Sequence, residues 1–151
     1  MSNYKLVKHF FEVAETKNLE RALELFTENA KFIDPHYPRT HMQGKKEILE
    51  GLTWGFSGLK KLGFTIEKYF ETKEGNSIAV EVATAHELSN GKVLNFPQVF
   101  IIDIQDKKIS RCQAYEPYGP HGMLKVILGG TRLIMKVRKF FLFCFLGTSV
   151  H

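Results

Sequence analysis

The chain has 151 residues, the size of one ordinary domain and too few for two. Apolar residues make up 44% and charged residues 25%, a globular balance that excludes wholesale disorder. The formal charge is +5, but five of the 21 basic residues and none of the 16 acidic ones lie beyond residue 119. The body is therefore neutral and the excess belongs to the tail. A neutral body removes the main support for a nucleic-acid partner, and none is expected. Cys112 and Cys144 form no Cys-x-x-Cys pair or ligand cluster, which fits a reduced, cytoplasmic setting. Met1 to Glu15 reads as an amphipathic helix and not as a secretory leader.

Leu6, Phe10, Val13 and Ala14 recur at helical spacing and predict a first helix. Asn18 is a candidate N-cap for a second, with Leu19, Ala22, Leu23 and Phe26 on one face. The run Ala30 to Ile33 ends at Asp34-Pro35, where proline disfavours helix before it, so it reads as a strand leaving into a loop. That loop, Pro35 to Gln43, also carries Pro38 and His41. A third helix is expected from about Lys45, with Ile48, Leu52, Phe56 and Leu59 inward. Gly51 and Gly55 weaken its middle unless they permit close packing. The period then changes. Extended runs are expected near Leu62–Thr72, Ile78–Leu88, Val93–Ile104 and Ile109–Tyr118, and Asn90-Gly91 marks the strongest hairpin turn. Helices followed by a meander imply an α+β domain over residues 1–119.

Several short stretches together resemble a known family. They are Phe32-Ile33-Asp34-Pro35, Gly44 opening a helix with Ile48, Val99-Phe100-Ile101-Ile102-Asp103, and Lys108-Ile109-Ser110-Arg111 running into Ala114-Tyr115. In order and spacing they resemble the SnoaL-like, ketosteroid-isomerase-like branch of the nuclear transport factor 2 superfamily. The resemblance implies a cone: three N-terminal helices closing a curved antiparallel sheet around an apolar pocket. It implies a small apolar ligand and a homodimer through the outer sheet face. Members include isomerases, cyclases, dehydratases and non-catalytic binders, so the fold implies a pocket and not a reaction.

Asp34 falls where ketosteroid isomerases hold the aspartate that shuttles a proton beside a carbonyl. A carboxylate at the mouth of an apolar pocket is pushed toward a useful base. The plainer reading is an Asx turn before proline. The enolate-stabilising Tyr and Asp of such isomerases fall near Phe10 and Phe100, which cannot donate hydrogen bonds, so ordinary ketosteroid isomerisation is not expected. The epoxide-hydrolase pattern is also missing, with Ala83-Thr84-Ala85 and Ala114 at its positions. Glu116 is a second catalytic candidate on the pocket side by family register, set against the commoner role of a solvated strand-end carboxylate. His36 could complete an acid–base pair with Asp34. Asp34, His36 and His41 are metal-ligand types without tight ligand spacing, so no metal site is expected, and no cofactor is expected either. Tyr37, His41, Trp54, Phe96, Gln98, Phe100 and Tyr115 are candidate ligand-binding residues. Gln98 stands out as an amide between Phe96 and Phe100 that must find a polar partner. Alternation buries the His86 face of its strand, whereas family spacing lines the pocket with the opposite face.

Beyond Pro120 the chain is read as a separate segment, 120–151. From Thr131, Leu133, Ile134, Val137, Phe140, Phe141 and Cys144 fall on one side of a helix, with Arg132, Lys136 and Lys139 on the other. The apolar run Phe140 to Leu146 is too short to span a bilayer. Peripheral contact of residues 131–146 with an anionic membrane stands beside docking on the body or on a second subunit. Three functions remain open: binding a small apolar molecule with proton transfer by Asp34, non-catalytic ligand binding or dimerisation, and peripheral membrane association.

Overall fold

The computed structural model describes residues 2–116 and 122–146, with side chains described for 2–116 and 125–138. Helix α1 (Asn3–Glu15) starts at Ser2, whose hydroxyl accepts from the Lys5 amide. Helix α2 (Leu19–Glu24) starts at Asn18, whose side chain accepts from the Arg21 amide. The expected third turn of α2 does not form. The chain straightens after Leu25, and Phe26 opens strand β1 (Phe26–Ile33), where it is fully buried. Strand β2 (His41–Gln43) folds back on β1 with Ile33 opposite His41, so the expected loop is a short hairpin. Helix α3 (Gly44–Ser57) buries Ile48, Leu52 and Phe56. Leu59, expected on that helix, lies instead in β3 (Leu59–Lys61). Strands β4 (Phe64–Glu71), β5 (Ser77–Leu88), β6 (Val93–Gln105) and β7 (Lys108–Tyr115) follow.

The two glycines of α3 permit close packing. A Cβ on Gly51 would sit 2.1 Å from Met42 Sδ, and one on Gly55 would sit 2.6 Å from the Tyr37 ring. The hairpin and the Tyr37 ring therefore lie against the helix backbone, which a side chain would hold away.

The seven strands form one sheet in the order β2-β1-β7-β6-β5-β3, with β4 also pairing β5 beside β3. The expectation of a wholly antiparallel sheet needs one correction: β1 runs parallel to β7, Phe32 beside Cys112. Helix α3 separates β1 from the meander in sequence and lets it enter the sheet in the other sense. Register shifts in the β1–β7, β3–β5, β4–β5 and β6–β7 pairs bend the sheet.

One face of the sheet is covered by α1 and α3. Ile78, Val80, Val82 and Thr84 of β5 are buried on that side, as the alternation suggests. His86 lies on the same side, edge-on to Phe64 and Phe96. Aromatic contacts knit the layers: Phe10 meets Phe26 edge-on at 5.5 Å, and Phe11 meets Phe100 at 5.2 Å.

Helix α4 (Gly122–Leu146) begins earlier than the expected Thr131 and runs through Gly129 and Gly130. Leu128 is buried and anchors it. Residues 117–121, and the side chains of Phe140, Phe141 and Cys144, lie outside the described residues.

Candidate functional site

The parallel pairing of β1 and β7 sets the two strand ends side by side. Phe32 and Ile33 lie opposite Cys112 and Gln113. Asp34 leaves β1 just where Glu116 leaves β7. Alternation along β7 buries Cys112 and Ala114 and turns Tyr115 outward, so Glu116 turns inward. Its side chain is 8% exposed. The solvated strand-end reading of Glu116 therefore fails.

Asp34 does form the Asx turn. Its Oδ1 accepts from the His36 amide at 2.8 Å, and its own amide donates to Thr40 O. The same turn swings the His36 ring inward. His36 Nδ1 lies 2.7 Å from Glu116 Oε2 and 3.8 Å from Asp34 Oδ1. The nitrogen is buried and poorly aligned for a hydrogen bond, so its contact with Glu116 is an ion-pair contact and not a directed bond.

Gln98 extends the cluster. It lies on β6 opposite Val82, one strand over from Glu116. Its amide nitrogen donates to Glu116 Oε1 at 2.6 Å, and its oxygen accepts from Thr84 Oγ1 at 2.9 Å. A chain Thr84–Gln98–Glu116–His36–Asp34 thus runs from β5 across β6 to the ends of β7 and β1. The amide between two phenylalanines finds its partners through it.

Burial pushes the Asp34 carboxyl up to about 6, and the Glu116 charge adds to this against the His36 amide. Burial alone would lower His36, but the contact with Glu116 and the charge of Asp34 outweigh it and raise the imidazole. The result is a carboxyl and an imidazole in contact, both raised above their ordinary values. Beneath them, burial holds the Tyr37 phenol and the Cys112 thiol well above their usual ranges, so both stay neutral. Asp34, His36 and Glu116 each offer a ligand atom within 4.8 Å of the others and could also hold a divalent cation.

The other candidates divide. Tyr37 packs between Phe32 and Trp54, and its hydroxyl lies against Gly55. Trp54 and Phe96 are half-buried, and Phe100 is in the core against Phe11. His41 is exposed on β2 and is not among the clustered ligand atoms of Asp34, His36 and Glu116. Tyr115 is exposed on the outer sheet face, because strand alternation gives the inner side to its neighbours. His86 is half-buried: Nδ1 accepts from the Gly63 amide, and burial lowers it to about 4. A groove of about 340 Å³ lies between α1 and β4, lined by Tyr4, Lys8 and Phe64 among others, and shares no residue with the Asp34 cluster.

Two contributors were missed in the sequence. Thr84 looked like one more inward strand residue. Arg132 looked like part of a solvated basic stripe. Its guanidinium instead donates to Pro35 O at 2.9 Å and Tyr37 O at 3.3 Å, tying α4 to the loop that carries His36.

Helices laid over one face of a curved mixed sheet define the nuclear transport factor 2-like class. A family model of the SnoaL-like domain matches residues 7–112, and the chain belongs to that family. A ketosteroid isomerase from Mycobacterium sp. is similar in structure, with TM-score 0.66 and 20% identity over 74% of this chain and 90% of that one. A Mycobacterium tuberculosis protein in complex with an estradiol hemisuccinate gives TM-score 0.66 and 15% identity over 74% and 91% of the two chains. A Catenulispora acidiphila protein of ketosteroid-isomerase-like fold, in complex with trimethylamine, gives TM-score 0.67 and 16% identity over 79% and 88%. At these identities the likeness is one of fold. No curated protein matches the sequence.

Proposed function

We propose that the chain binds a small, largely apolar molecule beside the Asp34 cluster and moves a proton on it, in the manner of an isomerase or cyclase. One observation carries this reading. A carboxyl that is 6% exposed and titrates near 6 touches an imidazole held by a second buried carboxylate. A structural Asx turn needs neither the imidazole nor Glu116. Asp34 would take a proton from a carbon next to a carbonyl, and His36 would return one to the oxygen or to the neighbouring carbon. Gln98 and Thr84 would hold Glu116 so that His36 keeps its orientation. By family spacing Phe10 and Phe100 fall near the positions of an isomerase's oxyanion donors and neither side chain can donate, so the enolate oxygen would depend on His36.

A panel of cyclic ketones in deuterated buffer provides the test. The parent protein should speed exchange of their α-protons, and Asp34→Asn should remove about 100-fold or more of that acceleration while keeping the fold. No acceleration by the parent for any ketone that binds would sink the catalytic reading and leave a ligand-binding domain.

A second reading concerns the outer sheet face. Val93, Val99 and Tyr115 are exposed there and suit a homodimer through that face. Sedimentation of Val99→Lys against the parent tests it, with a monomeric variant and a dimeric parent as the expected pair.

A further inference from the structure

A docked surface helix turns its apolar stripe to the core. Helix α4 does the reverse. Its body-facing side is Leu128, 1% exposed, with half-buried Thr131, Arg132 and Met135 at helical spacing. More of its apolar residues lie opposite: Val126, Leu133 and Ile134 are 74%, 63% and 61% exposed, with Ile127 and Val137 beside them. Lys125 and Lys136 flank this stripe on one edge and Arg138 on the other, all exposed. Residues 120–151 contain no acidic side chain.

We propose that this outward stripe is a docking surface for an anionic lipid bilayer, with α4 lying in the plane of the interface. Val126, Leu133, Ile134 and Val137 would enter the acyl boundary, and the flanking bases would reach the headgroup phosphates. Charge selects this occupant over a second copy of the helix. Two α4 stripes face to face would bring lysines and arginines together with no acid on either helix to answer them. The helix does not cross the bilayer: among the described residues none is long and apolar enough. Arg132 holds the other side of α4 on the Pro35 and Tyr37 carbonyls. Docking would thus set the His36 loop about one helix diameter, roughly 10 Å, from the lipid.

Co-sedimentation of the full chain with two kinds of vesicle tests this. One is phosphatidylcholine with about one-third phosphatidylserine, the other phosphatidylcholine alone. The chain should bind the first, with affinity at least about tenfold lower for the second and about tenfold lower when salt rises from about 0.1 M to about 0.5 M. Leu133→Glu with Ile134→Glu should lose binding by a similar factor at unchanged circular dichroism. Lys136→Glu with Arg138→Glu should do the same and leaves the apolar stripe intact. Absence of binding to either vesicle overturns the proposal, as does equal binding by the parent and both variants. A parent dimer in light scattering that Leu133→Glu with Ile134→Glu dissociates, with no vesicle binding, assigns the stripe to a second copy instead. None of these outcomes touches the Asp34 chemistry, which is read in solution.

Discussion

Helices α1 and α4 carry the same kind of pattern and use it in opposite ways. In α1, Leu6, Val7, Phe10, Phe11, Val13 and Ala14 are buried against the sheet. In α4, only Leu128 is buried among the described side chains, and the wider apolar stripe faces solvent. Charge divides the same way, with a neutral body and five uncompensated bases in the tail. An amphipathic period therefore says that a helix has an apolar side. What that side meets depends on whether another element is there to cover it.

The comparison can be broken most directly by paired truncations. Phe26→Ala in the core should cost about 3–5 kcal/mol, because it empties a fully buried site touched by Phe10 and Phe32. Leu133→Ala in α4 should change stability by no more than about 0.5 kcal/mol. Urea denaturation measures both. A cost above about 2 kcal/mol for Leu133→Ala would mean that its stripe is covered in the folded protein.

Arg132 joins the two regions, and its loss should have an intermediate effect. Arg132→Ala should remove about 1 kcal/mol by freeing the carbonyls of the His36 loop. Amide exchange should quicken in α4 and in residues 35–40 while the core strands stay protected. Unchanged exchange in α4 would show that Leu128 alone holds it.

A further effect lies in the pH dependence of the body. Asp34 titrates near 6 in the folded protein and near 4 when unfolded. The folded state therefore binds the extra proton between these values. The contribution of Asp34 is full below about 4 and is lost as pH rises through about 6. His36 is raised too and has the same sign, losing its contribution as pH rises through its own folded value. Asn at position 34 mimics the protonated acid, so the parent should lose stability relative to Asp34→Asn across that window. Parallel pH curves for the two proteins would show that Asp34 is not held in a dry site.

Much of the fold was legible because it rests on local rules. Asn18 caps its helix, Asn90-Gly91 turns a hairpin, and β5 alternates cleanly between its two faces. Asp34 and His36 were legible for the same reason, since an Asp-Pro turn brings neighbours in sequence together. Glu116 was harder. Its residue type favours solvent, and only burial beside His36 and Gln98 reverses that. Thr84 and Arg132 gave no local signal, because the groups they bond lie on other elements.

The amino-acid sequence by itself determined the order of the main helices and the four meander strands, the inward face of α1, and the separation of a neutral body from a basic tail. These follow from periods of 3.6 and 2 and from composition, which neighbouring residues set. Only the tertiary structure decided that β1 runs parallel to β7, that Asp34 and Glu116 meet across His36, and that α4 turns its apolar stripe outward. Each of these depends on contacts between residues far apart in the chain, where strand sense and the covering of a face are settled by packing and not by local pattern.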